Sequence, residues 1–514
     1  MSPQNKKGTR TSPRSTAKTS RGPVTVPNEA AQAPVAVPNE ILARIFSFAV
    51  DDLPSESSMQ TAMYIGKTCK RWRTLLYSTP SLWSRLSLEF VDIDDGTMDG
   101  VQKTTSVRGL RKCLALSHPM PLYIKFCVRY STSDMIIYSR LAHCDPDIQI
   151  AMYMLLAQSS RWKQVSFVGT TYTIGLLHSL RHLKSQVLES LTIRALGNTP
   201  PTYSTYFDSG PIDLASRLKC LDINFYIPNL RPNWSCLKSL SMGFKDVDSC
   251  RQVLAKSSNL ETLTITHIGS ETKEGPGIGG LIMPNVRELN LSACAACHLF
   301  DGLKVPSLVN LGLIQPSDEQ LHNAHQSREI RQECPEYPSP SDADKRIVGI
   351  LENSGVQVKN FNAAWYSVPS SISSTLPLVQ DASVVSLRLD SEVEMIFLDK
   401  LVHAKPPLFP AVQELHLFSD MITGPEAFLA SLGMIEEIVR TRRAAGLRKF
   451  TLSRDTEWED ELEQDLPAFI YASSSLAQTL CQMNKAQDFE AQWTLGPMNE
   501  DILAYAAAFK APLV

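Results

Sequence analysis

The chain has 514 residues and a mass of 57.0 kDa, enough for two to four average domains or one long repeat array. Its 43% hydrophobic and 20% charged content exclude a chain disordered throughout, a collagen-like polymer and a coiled-coil rod. With 50 Lys+Arg against 53 Asp+Glu, the net charge of −3 points neither to nucleic acid nor to an acidic membrane.

Residues 1–36 are Ser, Thr, Pro, Ala and Gln with six basic residues against Glu29 alone. Too few apolar side chains are present to offset chain entropy, which predicts a disordered basic leader. No apolar core follows its charges, so no secretory signal is expected, and no apolar run of 18 residues suggests a membrane span. The 11 cysteines are odd in number and scattered, as expected for reduced thiols packed as small hydrophobes. These features predict a soluble protein of the cytoplasm, the nucleus or both. A leader that is basic but sparse reads as a solvated segment before it reads as a nucleic-acid arm.

Order is expected from VPNEILARIFSFAV at residues 37–50. Pro38 suits a first helical turn, Glu40 suits the positive dipole end, and Ile41, Leu42, Ile45, Phe46 and Ala49 form one stripe at helical spacing. Next, Ser57 and Gln60 read as a capping box. Ala62, Ile65, Cys69, Trp72 and Leu76 then recur at spacings of three and four, with a bend expected at Gly66. Pro80 closes a helical module of about fifty residues, too small to be secure without a neighbour.

From about residue 104 a six-residue phrase, apolar-x-x-apolar-x-apolar, returns. It reads LESLTI (188–193), LKCLDI (218–223), LKSLSM (237–242), LETLTI (260–265), VRELNL (286–291) and LVNLGL (308–313). VVSLRL (384–389), VQELHL (412–417) and LRKFTL (447–452) continue it, with weaker copies at 162–167 and 358–363. Each phrase ends in the alternation of a strand. One strand with a return segment cannot bury its apolar face alone, so stacking must supply the burial, as in a solenoid. The polar, proline-containing stretch 316–346 reads as an insertion loop.

Segment 37–90, with VPNEILARIFSFAV and then TCKRWRTLLYSTPSLWSRLSL, resembles an F-box of the fungal, basidiomycete-like type. The family's opening Leu-Pro stands as Val37-Pro38, and its Val-Cys before the Arg-Trp pair stands as Thr68-Cys69. The phrases at 117–126 and 159–167 are similar to segments downstream of the F-box in such proteins, and the repeats resemble degenerate leucine-rich repeats. The resemblance implies an α/β fold in which an N-terminal F-box-like helical module precedes an irregular leucine-rich-repeat solenoid. The expected divisions are 1–36 leader, 37–90 F-box, 91–455 repeat array and 456–514 C-terminal cap.

The resemblance further implies docking onto the Skp-type adaptor of a cullin ubiquitin ligase. Pro38, Ile41, Leu42, Ile45, Phe46, Cys69, Trp72 and Leu75 match the positions that build the family's core and adaptor contact. All eight also fit a plain core. Trp72, Ile45 and Cys69 leave core and interface level, while Pro38, Ile41 and Leu42 lean to the interface. The implied role is a non-catalytic subunit that brings an unknown protein substrate to the transfer machinery through effective concentration. Two other readings stand beside it: a repeat scaffold not engaged in ubiquitination, and nucleic-acid binding through the leader.

Three motifs look like chemistry. CAACH (294–298) has the haem-attachment spacing, but Cys294 falls at the Asn/Cys position of a leucine-rich phrase. GPGIGG (275–280) leaves only three residues before Pro284, too few for a phosphate-binding helix. DIDDG (92–96) has Lys103 where a calcium loop needs its bidentate Glu. The acidic run 455–465 reads as a solvated face or linker. No cofactor and no metal are expected.

Overall fold

The computed structural model describes residues 37–51, 58–92, 101–103, 107–130, 146–170, 185–196, 212–227, 230–268, 280–292, 295–296, 302–314, 340–363, 384–389, 395–403, 407–418, 425–454, 476–485, 489–495 and 500–501. The leader and the acidic run lie outside these residues, as do 93–96, 275–279 and Cys294.

An N-terminal group of three helices, α1 (Asn39–Asp51), α2 (Ser58–Thr68) and α3 (Lys70–Tyr77), is followed by a 3-10 turn at Pro80–Trp83. The strands are β1 (Arg85–Asp92), β2 (Val101–Lys103), β3 (Leu122–Tyr130), β4 (Trp162–Thr170), β5 (Ser190–Leu196), β6 (Ile212–Asp213), β7 (Cys220–Ile223), β8 (Leu230–Arg231) and β9 (Ser239–Phe244). They continue as β10 (Thr262–Ile268), β11 (Glu288–Ser292), β12 (Asn310–Ile314), β13 (Asn360–Ala363), β14 (Ser386–Leu389), β15 (Glu414–Phe418), β16 (Lys449–Arg454), β17 (Glu490–Leu495) and β18 (Glu500–Asp501).

Sixteen of them form one large open sheet, while β6 pairs with β8 separately. From β1 and β3 to β17, neighbours along the sheet follow chain order and run parallel. Among the described residues, only the two terminal pairs of this sheet, β1 with β2 and β17 with β18, are antiparallel. Their outer members have three residues and two, and such short end strands offer little template for pairing with another chain.

Parallel neighbours need crossovers, and helices supply several of them. These are α4 (Val107–Leu116), α5 (Pro146–Leu156), α6 (Val247–Lys256), α7 (Pro340–Ser354), α8 (Met395–His403), α9 (Pro425–Ala444) and α10 over 476–484. At the start of α6, Asp246 Oδ1 accepts from the Ser249 N–H at 2.6 Å while Ser249 Oγ accepts from the Asp246 N–H. That reciprocal cap satisfies two N–H groups a helix leaves open.

The repeated phrase accounts for the core. Its second apolar residue forms a ladder in which Leu191, Leu221, Leu240, Leu263, Leu289, Leu311, Phe361, Leu387, Leu415 and Phe450 stand side by side. All ten are buried, as are the first residues of the phrases, from Leu188 to Leu447. At roughly 1.5–3 kcal/mol for each fully buried aliphatic side chain, this ladder is a main source of cohesion. The alternate residues, among them Thr192, Ser241, Thr264 and Asn290, are only partly covered and face outward. Between phrases, the Lys219 N–H donates to Glu189 O at 2.9 Å, Lys238 to Lys219 at 2.8 Å and Glu261 to Lys238 at 2.7 Å. The same link recurs as far as the Glu490 N–H on Arg448 O, and it holds each phrase in register with the last.

The sheet passes both expected boundaries of the repeat array. β1 begins at Arg85, because Leu86, Leu88 and Phe90 already alternate inward. β17 lies beyond residue 455, with Ala491 beside Phe450 and Trp493 beside Leu452. Helix α7 starts at Pro340, inside the segment expected to be a loop, with proline in the first turn where its missing N–H costs nothing.

Candidate functional site

The Leu42 N–H donates to Pro38 O at 3.0 Å, so the first turn of α1 begins at the proline. Leu42 and Phe46, one turn apart, are buried. A quarter-turn round the helix, Ile41, Ile45 and Phe48 (i, i+4, i+7) are 45%, 50% and 65% exposed. Helix α1 is thus apolar on two adjacent stripes, and only one is used internally.

Helix α2 packs through Ala62, which is fully buried. Gly66 allows α3 to approach closely: a Cβ there would stand 3.0 Å from Leu76 Cδ2. The Gly66 carbonyl accepts from Arg73 Nε at 2.9 Å. The break falls at Cys69 rather than at the expected Gly66. Cys69 adopts extended backbone and caps α3, its Sγ accepting from the Trp72 N–H at 3.4 Å. Ser57, expected to cap α2, lies outside the described residues.

Aromatic contacts lock the module. Trp72 meets Phe46 edge-on at 5.0 Å, Trp83 Nε1 donates to Leu76 O at 2.9 Å, and Tyr77 stacks on Trp83 at 5.7 Å. Arg71 reaches back to the start of α1. Its Nη2 donates to Val37 O and, at 2.8 Å, to Asn39 Oδ1. That contact fixes the approach to Pro38. Trp83, Leu86 and Leu88 join the same buried cluster as Leu42 and Phe46, so the module and the sheet share a core.

Residues 35–89 match the F-box-like family model. No curated protein and no solved structure matches the chain. The F-box-like domain points to an adaptor role in a ubiquitin ligase, since F-box domains generally bind Skp-type adaptors in cullin complexes.

The eight residues singled out in the sequence all lie in the F-box-like domain, but in three settings. Pro38, Ile41, Ile45 and Cys69 are exposed; Trp72 and Leu75 are partly buried; Leu42 and Phe46 are core. Phe48, Met63 and Tyr64 are also exposed and were not singled out. Phe48 was legible as the next member of the Ile41–Ile45 stripe. Met63 and Tyr64 were not, because nothing in the spacing tells an unburied apolar face of α2 from a buried one.

The outward face of the sheet is a second surface. Arg194 Nη2 and Asp222 Oδ2 pair at 2.8 Å, and the Asn224 amide exchanges two 2.9 Å bonds with the Ala195 backbone. Asn360 Nδ2 donates to Asn310 Oδ1 at 2.7 Å, and His416 Nε2 lies 3.1 Å from Ser453 Oγ. A cavity of about 610 Å³ between α4 and α5 is lined by Leu114, Met154, Arg111 and His118 among others, without a carboxylate, hydroxyl or thiol.

Among the described residues, no three His, Cys, Asp or Glu side chains gather as metal ligands, and no helix is long and apolar enough to cross a membrane. Burial pushes the Cys113 thiol up to about 11 and that of Cys250 higher still, so both are packing groups at neutral pH.

Proposed function

We propose that this chain is a non-catalytic substrate-recognition subunit of a Skp–cullin–F-box type ubiquitin ligase, working in the cytoplasm, the nucleus or both. The F-box-like domain docks on the Skp-type adaptor, and the sheet, read as an irregular leucine-rich-repeat solenoid, holds a protein substrate. The observation that carries this reading is the exposed stripe Ile41–Ile45–Phe48 on a domain whose other apolar face is already buried. Solvent-facing Ile and Phe in helical register are anchors awaiting a pocket. Pro38 opens the same helix, Leu42 and Phe46 hold it with Trp72 packed on Phe46, and Cys69 and Leu75 complete the expected contact set on the neighbouring α3 segment. The polar outward face of the parallel strands is the surface left for a substrate. Such a subunit acts by proximity: a tethered substrate meets the transfer machinery at high effective concentration.

The test is Ile41→Asp in the full chain. A charge in a desolvated contact opposes binding by several kcal/mol, about a hundredfold or more in affinity. Capture of a recombinant Skp-type adaptor should be lost while thermal unfolding is unchanged. Parent-level capture by the variant would sink the docking reading.

One observation favours a second reading. Because the F-box-like domain shares a core with β1, it also serves as an end cap for the sheet, as in a scaffold not engaged in ubiquitination. A chain that is monomeric, stable and deaf to adaptor and cullin would support that reading.

A further inference from the structure

Helices α2, α3 and α4 carry seven cations, Lys67, Lys70, Arg71, Arg73, Arg108, Arg111 and Lys112, and no carboxylate. All seven side chains are exposed. None has a carboxylate partner among the described residues. On helix surfaces, opposite charges three or four residues apart are the ordinary arrangement, and this chain has more acids than bases to supply them. Elsewhere in the molecule they do so, as in Asp248–Arg251 on α6 and Glu436–Arg440 on α9. The one-signed helices are therefore a local feature.

The cations form a band. On α3, Lys70, Arg73 and Tyr77 follow one face at i, i+3 and i+7. The Tyr77 hydroxyl accepts from Lys112 Nζ at 3.0 Å, and the same ammonium lies 4.7 Å from the ring centre, joining α3 to α4. Arg108 lies one turn away on α4. At the other end, Lys67 lies over the Tyr64 ring at 5.1 Å, beside exposed Met63. Arg71 is engaged with α1, but Arg73 uses only Nε internally and keeps the rest of its fork for a carboxylate.

The geometry points to a docking surface that runs past the F-box-like domain onto α4 and takes an acidic segment of the protein held by the α1 stripe. This rests on the docking reading above. Charge complementarity specifies carboxylates. The exposed Ile41, Ile45, Phe48, Met63 and Tyr64 on the adjoining helices specify a protein with apolar pockets, which a phosphate backbone does not offer. The band's function is to steer and orient that partner, so its signature is a salt-dependent affinity.

The test uses the full-length chain and a recombinant Skp-type adaptor as probe, with calorimetry at about 50 and about 300 mM salt. Neutralising Lys70→Gln, Arg73→Gln, Arg108→Gln and Lys112→Gln together should weaken binding about tenfold at low salt and flatten its salt dependence. Replacing Lys70→Arg and Lys112→Arg should preserve both. If the fourfold variant does not fold, Arg108→Gln with Lys112→Gln, outside the F-box-like domain, is scored on the same readout. A neutralised chain with parent affinity and parent salt slope, beside a failed Ile41→Asp, would overturn the band and leave docking standing. If neither variant changes binding, both fall. If the neutralised chain loses a single-stranded DNA oligonucleotide but keeps the adaptor, the band is a nucleic-acid surface and the inference is wrong.

Discussion

Arg161 offers a sharp test of how the sheet supports the helices that carry the cationic band. It lies in the 3-10 turn Ser159–Arg161, just before β4, and reaches across to the turn between α4 and β3. Nε donates to Met120 O at 2.9 Å, and Nη2 to Ser117 O at 2.8 Å and Ser117 Oγ at 2.9 Å. Nη1 donates to Gln158 Oε1 at 3.1 Å and more weakly to Leu114 O at 3.4 Å. The Leu114 carbonyl lies in the last turn of α4, where helical carbonyls lack intrahelical partners, and those of Ser117 and Met120 lie in the turn that follows. Burial lowers the Arg161 pKa, yet an arginine remains charged at any ordinary pH.

Each bond from a charged donor contributes roughly 1.5–3 kcal/mol. Met120 is exposed and can turn to water, whereas Ser117 is buried, its carbonyl keeping the Met120 N–H at 2.7 Å as a partner. Arg161→Ala should therefore destabilise this region by about 2–4 kcal/mol, and Arg161→Lys by about half as much, since an ammonium cannot span the three carbonyls. Hydrogen exchange followed by mass spectrometry on a peptide spanning 107–126 reads the local opening. Protection should fall about 30- to 1000-fold for the alanine variant. A fall of less than about threefold would show that the fork contributes nothing beyond what water replaces.

Leu263 is fully buried in the ladder between Leu240 and Leu289, so Leu263→Ala should cost about 2–5 kcal/mol, read as earlier exchange in β9–β11. Gly312 faces Asn290, and a Cβ there would lie 2.0 Å from Asn290 Oδ1. Gly312→Ala must displace an amide bonded to Glu288 and Thr264, at about 1–3 kcal/mol by denaturation, and adding Asn290→Ala should restore part of the loss. The Lys238 ammonium, bonded to Glu261 at 2.7 Å, holds that carboxyl below its ordinary range. A depressed carboxyl contributes stability that is present above its unfolded pKa and lost as pH falls through the folded one. Acid titration by NMR should show Glu261 protonating later than free glutamate, and Lys238→Gln should erase the difference.

Much of this architecture is written locally. Alternation at residues 188–193 and its eight close copies specifies strands with one buried face, and the strands pair in chain order because each phrase offers the same ladder positions to the next. The strands that escaped the pattern have a physical reason. β17 packs through Phe489, Ala491 and Trp493, a strict alternation without the leading x-x of the phrase. β1 alternates too, but comes directly after the helical module.

Where an apolar stripe falls along each helix and strand can be read from residue order, because periodicity is a property of local backbone geometry. Which stripe is covered depends on contacts between distant segments. Leu42 and Ile41 are adjacent, equally apolar and both in the first half of α1, yet one is core and the other 45% exposed. What separates them is the direction from which α2, α3 and Pro80–Trp83 arrive, a fact set by contacts such as Arg71 with Asn39 and Trp72 with Phe46 across long stretches of chain. The cationic band has the same origin. Lys70, Arg73, Arg108 and Lys112 are separate charges along the chain, and they share a surface because Tyr77 meets Lys112 across 35 residues.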